Sequence, residues 1–475
     1  MATTTSWVTK ADLSAYARCP YAFWLVDSGQ VPASGAMSGF TLSLVQASAE
    51  FERRVLAELA EPSSCPGAVP SEASDGMAVY GLGELENKEL GLRGSPSAVR
   101  PGAGALVPLE VRSHRRPRGH DRVSLAFDWE LLAPWRTRDV EPEGILVLAD
   151  EGSYRELTVR ISPEDLAEAR RLVAAVRSAR AGGVEPRFCR CHVCSGRPEV
   201  MAGARRRRDL ALISGLDDAA ARALAELGCD SYDALEGLDA GWVAARLKER
   251  NLGTSRASVE RWQLHARSYA QGRALLVPGH RALPSLARHI ALDLEWDLSG
   301  QIFLVGAALV EGDKVSCASW WAEQPEAELA ALGSLREFLG LYPGLPVLTW
   351  NGAKADLPRI EARLAHHGAE GLLSGLAERH FDLLAWSRAS LRLPVHSFGL
   401  KAVSAALGYP RGSALSAGTD AVAAFGAYRR SGNPALRDRL VAYNRDDVVS
   451  LSYVARRLVD LERAGTAAVV PALAG

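Results

Sequence analysis

The sequence lacks both a secretory signal and a membrane span. Its first residues, MATTTSWVTKADLSAYARC, contain no basic start followed by an apolar core. No stretch reaches the roughly 18 uncharged apolar residues that a membrane span needs. These absences argue against a membrane protein and predict a cytoplasmic one.

Cysteines are few, with seven spread over 475 residues. An odd number over a long chain argues against a disulfide framework and favours reduced thiols or metal ligands. An excess of either charge is also missing, because the net charge is -1. That balance gives no global electrostatic indication of a nucleic-acid partner, although a nuclease with a carboxylate site can carry local basic patches.

What is present is an ordinary globular composition, with 48% hydrophobic and 23% charged residues. At about 150 residues per domain, the length predicts several domains. Shifts in composition near residues 200 and 284 divide the chain into three regions, 1–200, 201–283 and 284–475. We predict a multidomain α/β protein whose middle region is a small helical module.

Local patterns support this division. Residues 8–60 and the stretch around 123–132 have helical periodicity, whereas 106–112 and 144–149 are typical of short strands. Residues 209–275 show only helical periodicity. From residue 289, the strand-like runs HIALDLEW, QIFLVGAALV and PVLTW alternate with helical segments at 325–340, 356–367, 399–407 and 437–462. That alternation is typical of an α/β domain.

Acidic residues stand at three places in the last region. Asp293 and Glu295 are two apart in an apolar run, so a strand places both on one face, where they repel unless cations lie between them. A solvated strand end is the alternative. Asp356 follows a strand-like run and comes just before Pro358 at a helix start, where a helix N-cap is the alternative role.

The third place is VAYNRDDVVSL, in which Tyr443 and Asp447 are four apart and share one face of a helix, while Asp446 points elsewhere. Acidic oxygens from separate elements are what two hard cations about 4 Å apart require for in-line phosphodiester hydrolysis. A tyrosine can orient the attacking water. We predict catalysis by Tyr443 and four metal ligands, Asp293, Glu295, Asp356 and Asp447.

In order along the chain, D-L-E, N-x4-D and Y-x3-D resemble the three motifs of the DEDD superfamily of 3′→5′ exonucleases, over residues 287–462. In the last motif, Tyr443 stands four residues before Asp447 and residue 442 is Ala, so the motif resembles the tyrosine subclass of this superfamily. The segments His380-Phe-Asp382-Leu-Leu and Ser397-Phe-Gly-Leu-Lys401-Ala-Val are similar to structural segments of YprB-type exonucleases. The resemblance implies a ribonuclease-H-like domain with two Mg²⁺ or Mn²⁺ ions, and it makes Asp382 a supporting residue.

The first region carries Cys19 in the segment DLSAYARCPYAFWLV and ends with Cys189, Cys191 and Cys194. These features resemble RecB-like nucleases of the PD-(D/E)XK type and CRISPR-associated nucleases, in which cysteines clamp the two ends of the domain together. The resemblance implies a 4Fe–4S cluster or a structural Zn²⁺, because soft ligands with C-x2-C spacing suit either one. Reduced cysteines without metal are the alternative.

The catalytic pattern of that family is incomplete here. Ser97 stands where an Asp is expected, and the strand Pro108-Leu-Glu110-Val-Arg112 carries arginine, which stays protonated, in place of lysine. We therefore predict a degenerate restriction-endonuclease-like domain. Its basic residues would still contact phosphates, unless they form only a solvated loop: Arg112, His114, Arg115, Arg116 and Arg118.

The middle segment LALISGLDDAAARALAELG resembles one helix-hairpin-helix unit. Ser214, Gly215 and Leu216 would form the turn that presents backbone N–H groups to a phosphate. The neighbouring arginines 205–208 would add phosphate affinity. An ordinary helical hairpin between two domains is the alternative.

Together these patterns predict a metal-dependent 3′→5′ exonuclease acting on single-stranded DNA or RNA in nucleic-acid repair or processing. One alternative is a non-catalytic nucleic-acid-binding scaffold with relic nuclease folds. Another is an iron–sulfur or zinc adaptor for a helicase partner, and no helicase phosphate loop is present in the sequence. Convergence of the four carboxylates in the fold discriminates between the enzyme and the two other interpretations.

Overall fold

The structure is a computed structural model that describes residues 7–30, 39–59, 79, 81, 83–102, 104–150, 153–182, 188, 191, 194, 198–412, 415 and 418–465. The chain divides into two compact units, residues 1–37 with 41–197 and residues 38–40 with 198–475. Within the described ranges, no helix combines the length and the apolar character that crossing a membrane requires.

The first unit is mixed α/β, as its sequence pattern predicts. Its strands are β1 (Val8–Thr9), β2 (Leu85–Asn87), β3 (Leu92–Gly94), β4 (Ala98–Pro101), β5 (Leu106–Arg112), β6 (Glu143–Asp150) and β7 (Ser153–Arg160). Its α-helices are α1 (Lys10–Arg18), α2 (Pro20–Asp27), α3 (Gly39–Leu59), α4 (Gly119–Leu131) and α5 (Pro163–Arg180). The strands predicted at 106–112 and 144–149 are confirmed as β5 and β6.

The larger sheet of this unit has four strands. It runs in chain order from β4 to β7, with β5 and β6 parallel and the two outer pairs antiparallel. Helix α4 packs on it, because Leu125 and Trp129 share a hydrophobic core with Leu146 of β6. The same helix carries Asp121 and Asp128, so the packing of α4 places acidic groups beside β5.

The second unit begins with short helices. They are α6 (Pro198–Arg206), α7 (Asp218–Glu226), α8 (Tyr232–Glu236), α9 (Ala240–Glu249) and α10 (Arg256–Gln271), and the short strand β8 (Leu275–Leu276) follows. The helical periodicity of this region is confirmed, apart from β8. Before the predicted turn, however, a 3₁₀ segment at Leu210–Leu212 stands in place of a full α-helix. Gly215 in the turn has a φ of 82°, which favours glycine.

The rest of the second unit is an α/β domain. Its strands are β9 (Arg288–Trp296), β10 (Ile302–Glu311), β11 (Lys314–Trp321), β12 (Val347–Thr349), β13 (His380–Asp382) and β14 (Leu391–Arg392). Its helices are α11 (Pro325–Gly340), α12 (Asp356–His366), α13 (Leu376–Arg379), α14 (Leu383–Ser390), α15 (Leu400–Ala406), α16 (Gly418–Ser431) and α17 (Pro434–Ala464). The sequence patterns did not predict β11, β14, α13, α14 or α16.

Five of these strands form one sheet in the order β11-β10-β9-β12-β13. The pairs among β9, β10 and β11 are antiparallel, whereas β12 is parallel to both β9 and β13. Helices cover both faces of β9, since Leu292 packs with Leu332 of α11 and Ala291 packs with Val448 of α17. A central strand is therefore buried between two helical layers.

Candidate metal centre

Strand β9 supplies two carboxylates on the face of the sheet that α17 covers. Successive side chains of a strand alternate between its faces. Leu292 and Leu294 belong to the core on the α11 side, so Asp293 and Glu295 project towards α17. This is the arrangement that their spacing predicts.

Helix α17 supplies a third carboxylate. Its buried side chains recur every three or four residues and include Leu440, Tyr443, Asp447 and Leu451. Residues at this spacing lie on one face of a helix. Tyr443 and Asp447 therefore lie on the face that covers the sheet.

The carboxylates of Asp293, Glu295 and Asp447, here called the carboxylate cluster, offer three oxygen atoms that all lie within 4.8 Å of one another. Glu295 and Asp447 are 7% and 6% exposed. Burial, and then the neighbouring carboxylates, raise the pKa values of Asp293 and Glu295 well above their ordinary range. A divalent cation would relieve this repulsion, and an all-oxygen donor set suits Mg²⁺ or Mn²⁺.

Asp356 lies beside the carboxylate cluster but outside the group of atoms within 4.8 Å. It is the first residue of α12, and the capping position belongs to Ala355, so the N-cap role considered for Asp356 is wrong. Burial raises the pKa of Asp356 to about 7, although hydrogen bonds from its own amide and that of Leu294 lower it. Its charge acts on Asp293 and Glu295.

Asn444, which the sequence analysis did not single out, holds Asp293 in place. Its Nδ2 donates to Asp293 Oδ2 at 2.8 Å and to the Asp293 carbonyl at 3.3 Å. Gly306 lies opposite Asp293 on β10, and a Cβ atom there would come within 1.8 Å of Asn444 Oδ1. Asn444 and Asp293 are 151 positions apart in the sequence, so no local pattern indicates this contact.

Two basic side chains border the cluster. Lys401 Nζ donates to the Tyr443 hydroxyl at 2.9 Å. Arg411 Nη2 donates to Asp447 Oδ1 at 2.7 Å and lies 3.1 Å from Asp446 Oδ2. Burial, with the nearby carboxylates, raises the pKa of Tyr443, so its hydroxyl stays protonated. Lys401 lies in a segment whose resemblance implies only a structural role, and no sequence pattern indicates Arg411.

Asp382 supports the turn that leads to Asp356. Its Oδ1 accepts from the amide of Ala385 at 3.1 Å, which caps α14, and from the amide of Asn351 at 3.1 Å. Its Oδ2 accepts from the amide of Ala353 at 3.3 Å. With both oxygens held in this way, Asp382 fixes the start of the segment from which α12 begins.

In the first unit, buried carboxylates are neutralised by basic side chains. Glu110 on β5 and Asp128 on α4 are both fully buried. Lys10 Nζ forms an ion pair with Glu110 and lies 2.7 Å from Asp128 Oδ2, and Arg112 also pairs with Glu110. These two carboxylates are therefore paired with protein cations.

The basic loop after β5 is only partly directed to solvent. Arg112 Nε lies 3.2 Å from Asp121 Oδ1, and His114 Nε2 lies 2.9 Å from Asp121 Oδ2. Arg112 and His114 therefore each contact Asp121, and phosphate binding by this loop stays a prediction. The exposed basic residues of the loop are Arg115, Arg116 and Arg118.

Three thiols of the predicted cysteine cluster come together in the first unit. The Sγ atoms of Cys19, Cys191 and Cys194 all lie within 4.8 Å of one another, with 3.1 Å between those of Cys19 and Cys194. Cys189, the fourth predicted ligand, lies outside the described residues. Three sulfur donors this close to one another could hold a single metal ion such as zinc.

A sheet of mixed direction with carboxylates on its central strand defines an α/β domain whose acidic cluster could hold a metal ion. Residues 290–459 match the family model of the RNase_H superfamily. The C-terminal part of the chain is therefore an RNase H-like domain. This fold suggests a nuclease-type function, and nucleases of this type typically use divalent metals.

Other comparisons add little. A search of curated proteins finds no match. A solved structure titled "Crystal structure of SSO0001" aligns with 40% of this chain and 82% of its own length, at 17% sequence identity and a TM-score of 0.22. A similarity of that size supports no inference about this chain.

Proposed function

We propose that the chain is a metal-dependent 3′→5′ exonuclease that hydrolyses phosphodiester bonds of single-stranded DNA or RNA. The carboxylate cluster is the observation that carries this proposal, because its three oxygens lie within 4.8 Å of one another. Buried carboxylates that repel one another destabilise a protein unless a cation compensates them. A domain that only binds nucleic acid has no need of such a cluster.

Two divalent cations at this place would neutralise the scissile phosphate and activate a water molecule for attack. Asp293, Glu295 and Asp356 would hold the first cation. Asp293 and Asp447 would hold the second. Asn444 keeps Asp293 in the orientation that both cations require, since it binds one carboxylate oxygen at 2.8 Å and leaves the other available.

Tyr443 has the role of orienting the attacking water. Lys401 donates to its hydroxyl oxygen at 2.9 Å, so the hydroxyl proton points away from Lys401. The oriented water loses one proton to solvent as its oxygen forms a new bond to phosphorus, and the bond from phosphorus to the 3′ oxygen of the preceding nucleotide breaks. That oxygen takes up a proton, and the terminal nucleotide leaves as a 5′-monophosphate.

For the first unit, the proposal is a degenerate RecB-like nuclease domain. Its cysteines would hold a 4Fe–4S cluster or a structural Zn²⁺: Cys19, Cys189, Cys191 and Cys194. The helical segment after it would act as a helix-hairpin-helix module on the strand. Nucleic-acid repair or processing in the cytoplasm, with a helicase as partner, is the setting that we propose for this activity.

The test uses the full chain with 5′-labelled single-stranded DNA and RNA in Mg²⁺ or Mn²⁺. We expect the wild type to produce a ladder of shortened products, while Asp293→Asn and Asp447→Asn lower turnover about a thousandfold or more and still bind the strand. Asp438→Asn, an exposed aspartate on α17, serves as the control and should keep full activity. A wild type that binds both strands and cuts neither would support the non-catalytic scaffold instead.

A further inference from the structure

A groove in the second unit lies between its helical segment and its RNase H-like domain. It has a volume of about 570 Å³. Gly215 and Trp262 line it on the helical side, and Arg392 and Phe398 line it on the other. The volume has room for one or two nucleotides, about the size of a drug-like ligand.

Direct hydrogen bonds join the two walls of this groove. His265 of α10 lies with its Nε2 atom 2.7 Å from the carbonyl oxygen of Leu393. Ser268 of the same helix donates to the carbonyl of Arg392 at 3.2 Å, and β8 pairs with β14. The groove is therefore a fixed feature of this unit.

Three arginines, called here the groove arginines, line the groove: Arg261 of α10, Arg388 of α14 and Arg392 of β14. Among the described residues, none of the three forms an ion pair with a carboxylate. Arg261 donates to the Ser258 hydroxyl at 2.9 Å, and Arg392 donates to the carbonyl of Leu391 at 2.7 Å. Their positive charges therefore lack a counter-charge from this part of the chain.

One carboxylate, that of Asp217, is also in the groove lining. It accepts a hydrogen bond from the amide of Ala220 at 2.7 Å, because it caps α7. Three cationic side chains and one carboxylate, which already accepts a hydrogen bond, give the groove a net positive charge. Arg261 and Arg392 are close enough for the charge of Arg261 to lower the pKa of Arg392, after burial as the larger cause. An anion between them would relieve that repulsion.

One short segment joins the lining of the groove to a neighbour of the carboxylate cluster. Phe398 in the groove precedes Lys401 by three residues, which limits the distance between their Cα atoms to about 11 Å. Lys401 in turn contacts Tyr443. The Phe398 carbonyl also accepts from Trp350 Nε1 at 2.9 Å, next to the turn that leads to Asp356. At 3.4 Å per nucleotide, the spacing in a stacked strand, this upper limit corresponds to a few nucleotides at most.

We propose that this groove binds the phosphodiester backbone of a single nucleic-acid strand a few nucleotides upstream of the 3′ end that enters the carboxylate cluster. The inference rests on the proposed exonuclease function and adds the path of the substrate. The groove arginines would contact phosphates, and Phe398, which is half-buried, offers aromatic surface to a base. Recognition by backbone and stacking would not depend on base sequence.

Binding is tested in the non-cleaving Asp293→Asn chain, so it does not depend on hydrolysis. We expect Arg388→Glu and Arg261→Glu each to weaken the binding of a labelled 12-nucleotide strand by about tenfold in fluorescence anisotropy. The slope of log affinity against log salt concentration should become shallower by about 0.7 for each lost contact. Arg388→Gln, which changes the charge by one, should give a smaller loss in the same direction.

Arg336→Glu is the matched control, because Arg336 is equally exposed and lies on α11, against the opposite face of the sheet. It should leave affinity and salt slope unchanged. Thermal unfolding must match among the variants, which excludes misfolding as the cause of a loss.

A second measurement separates failure of the groove from failure of the proposed function. In the cleaving chain, Arg388→Glu should slow hydrolysis of the 12-nucleotide strand and not that of a dinucleotide, which is too short to reach the groove. Equal losses of strand affinity for Arg388→Glu and Arg336→Glu would overturn the inference. So would groove variants that bind polyglutamate more weakly and bind the 12-nucleotide strand with unchanged affinity. If neither the wild type nor Arg388→Glu hydrolyses a strand, but Arg388→Glu weakens strand binding and Arg336→Glu does not, the inference about the groove holds and the exonuclease proposal fails.

Discussion

Asn444 and Gly306 act as a pair around Asp293. The amide of Asn444 orients one oxygen of that carboxylate, and the absence of a side chain at Gly306 provides the space for the amide. Groups that orient a metal ligand commonly matter almost as much as the ligand itself. The pair is therefore a sensitive test of whether the position of Asp293 governs activity.

We predict that Asn444→Ala lowers exonuclease turnover about 10- to 100-fold, because Asp293 loses its orienting donor. Gly306→Ala should give a similar loss without removing any polar group, since the new Cβ atom displaces the Asn444 amide. Steady-state rates on 5′-labelled oligonucleotides measure both effects. The apparent Mn²⁺ affinity should fall in both variants.

The control is Gly333→Ala on α11, where an added Cβ atom meets nothing within 4 Å. It should keep full activity and stabilise its helix slightly. Full activity in Asn444→Ala would show that Asp293 needs no such support.

At the scale of residues, the sequence indicated the acidic and tyrosine positions and missed their neighbours. Spacing suffices to predict that Asp293 and Glu295 lie together, because residues two positions apart on one strand share a face wherever the strand lies. The roles of Asn444 and Arg411 depend on contacts that only the folded chain creates, 151 and 36 positions apart in sequence. A local pattern contains no information about such contacts.

At the scale of elements, Glu328 links the parts that position Asp356. It lies fully buried on α11 and accepts from the backbone amide of Ile302 on β10 at 2.7 Å. Arg363 of α12 donates to it at 2.8 Å, and His367 lies 2.9 Å away. Since Asp356 is the first residue of α12, Glu328 ties the helix that carries Asp356 to the sheet.

We predict that Glu328→Ala lowers the free energy of unfolding by about 3 kcal/mol, because it leaves the Arg363 charge without its buried partner. The control Glu337→Ala, at an exposed position of the same helix, should change it by less than about 0.5 kcal/mol. Denaturant unfolding followed by tryptophan fluorescence measures both. A loss no larger than that of the control would contradict this role of Glu328.

The same contact predicts a dependence on pH. Burial alone would raise the pKa of Glu328, but hydrogen bonds from Arg363 and His367 lower it overall. A carboxylate with a lowered pKa contributes stability that is fully present above its unfolded value, about 4.3, and is lost as the pH falls through the folded value. The difference in the free energy of unfolding between wild type and Glu328→Ala should therefore be constant near pH 7 and become smaller in acid.

Among elements, long periodic segments were predictable and short or weakly patterned ones were not. Helix α17 was expected from its periodicity, whereas β11 was missed because its sequence, KVSCASWW, has no clear alternation of exposed and buried types. The segment at 210–212 was expected to be α-helical and is a 3₁₀ helix. Three residues before a glycine turn are too few for the sequence to distinguish an α-helix from a 3₁₀ helix.

At the scale of the whole molecule, the two units differ in how their buried carboxylates are compensated. Lys10 and Arg112 neutralise Glu110 in the first unit. In the second unit, Lys401 and Arg411 contact Tyr443 and Asp447 at the edge and leave Asp293 and Glu295 facing each other. All hydrolysis should therefore come from the second unit.

For the first unit we predict a metal that is independent of the carboxylate cluster. Cys194→Ser should lose the bound iron or zinc, about one site per chain, because its thiol is one of three within 4.8 Å. Metal analysis and visible absorbance of the purified chain measure this. Cys317→Ser, a half-buried thiol on β11, is the control and should retain the metal. Equal metal content in both variants would contradict a cysteine site.

The metal centre at the carboxylate cluster is tested by a calorimetric titration of the metal-free chain with Mn²⁺, a hard cation that prefers oxygen to sulfur ligands. We predict that the wild type binds Mn²⁺ and that Asp293→Asn loses this binding, while Asp438→Asn and Cys194→Ser retain it. Equal Mn²⁺ binding by the wild type and Asp293→Asn, or none by either, would contradict a metal centre at these carboxylates.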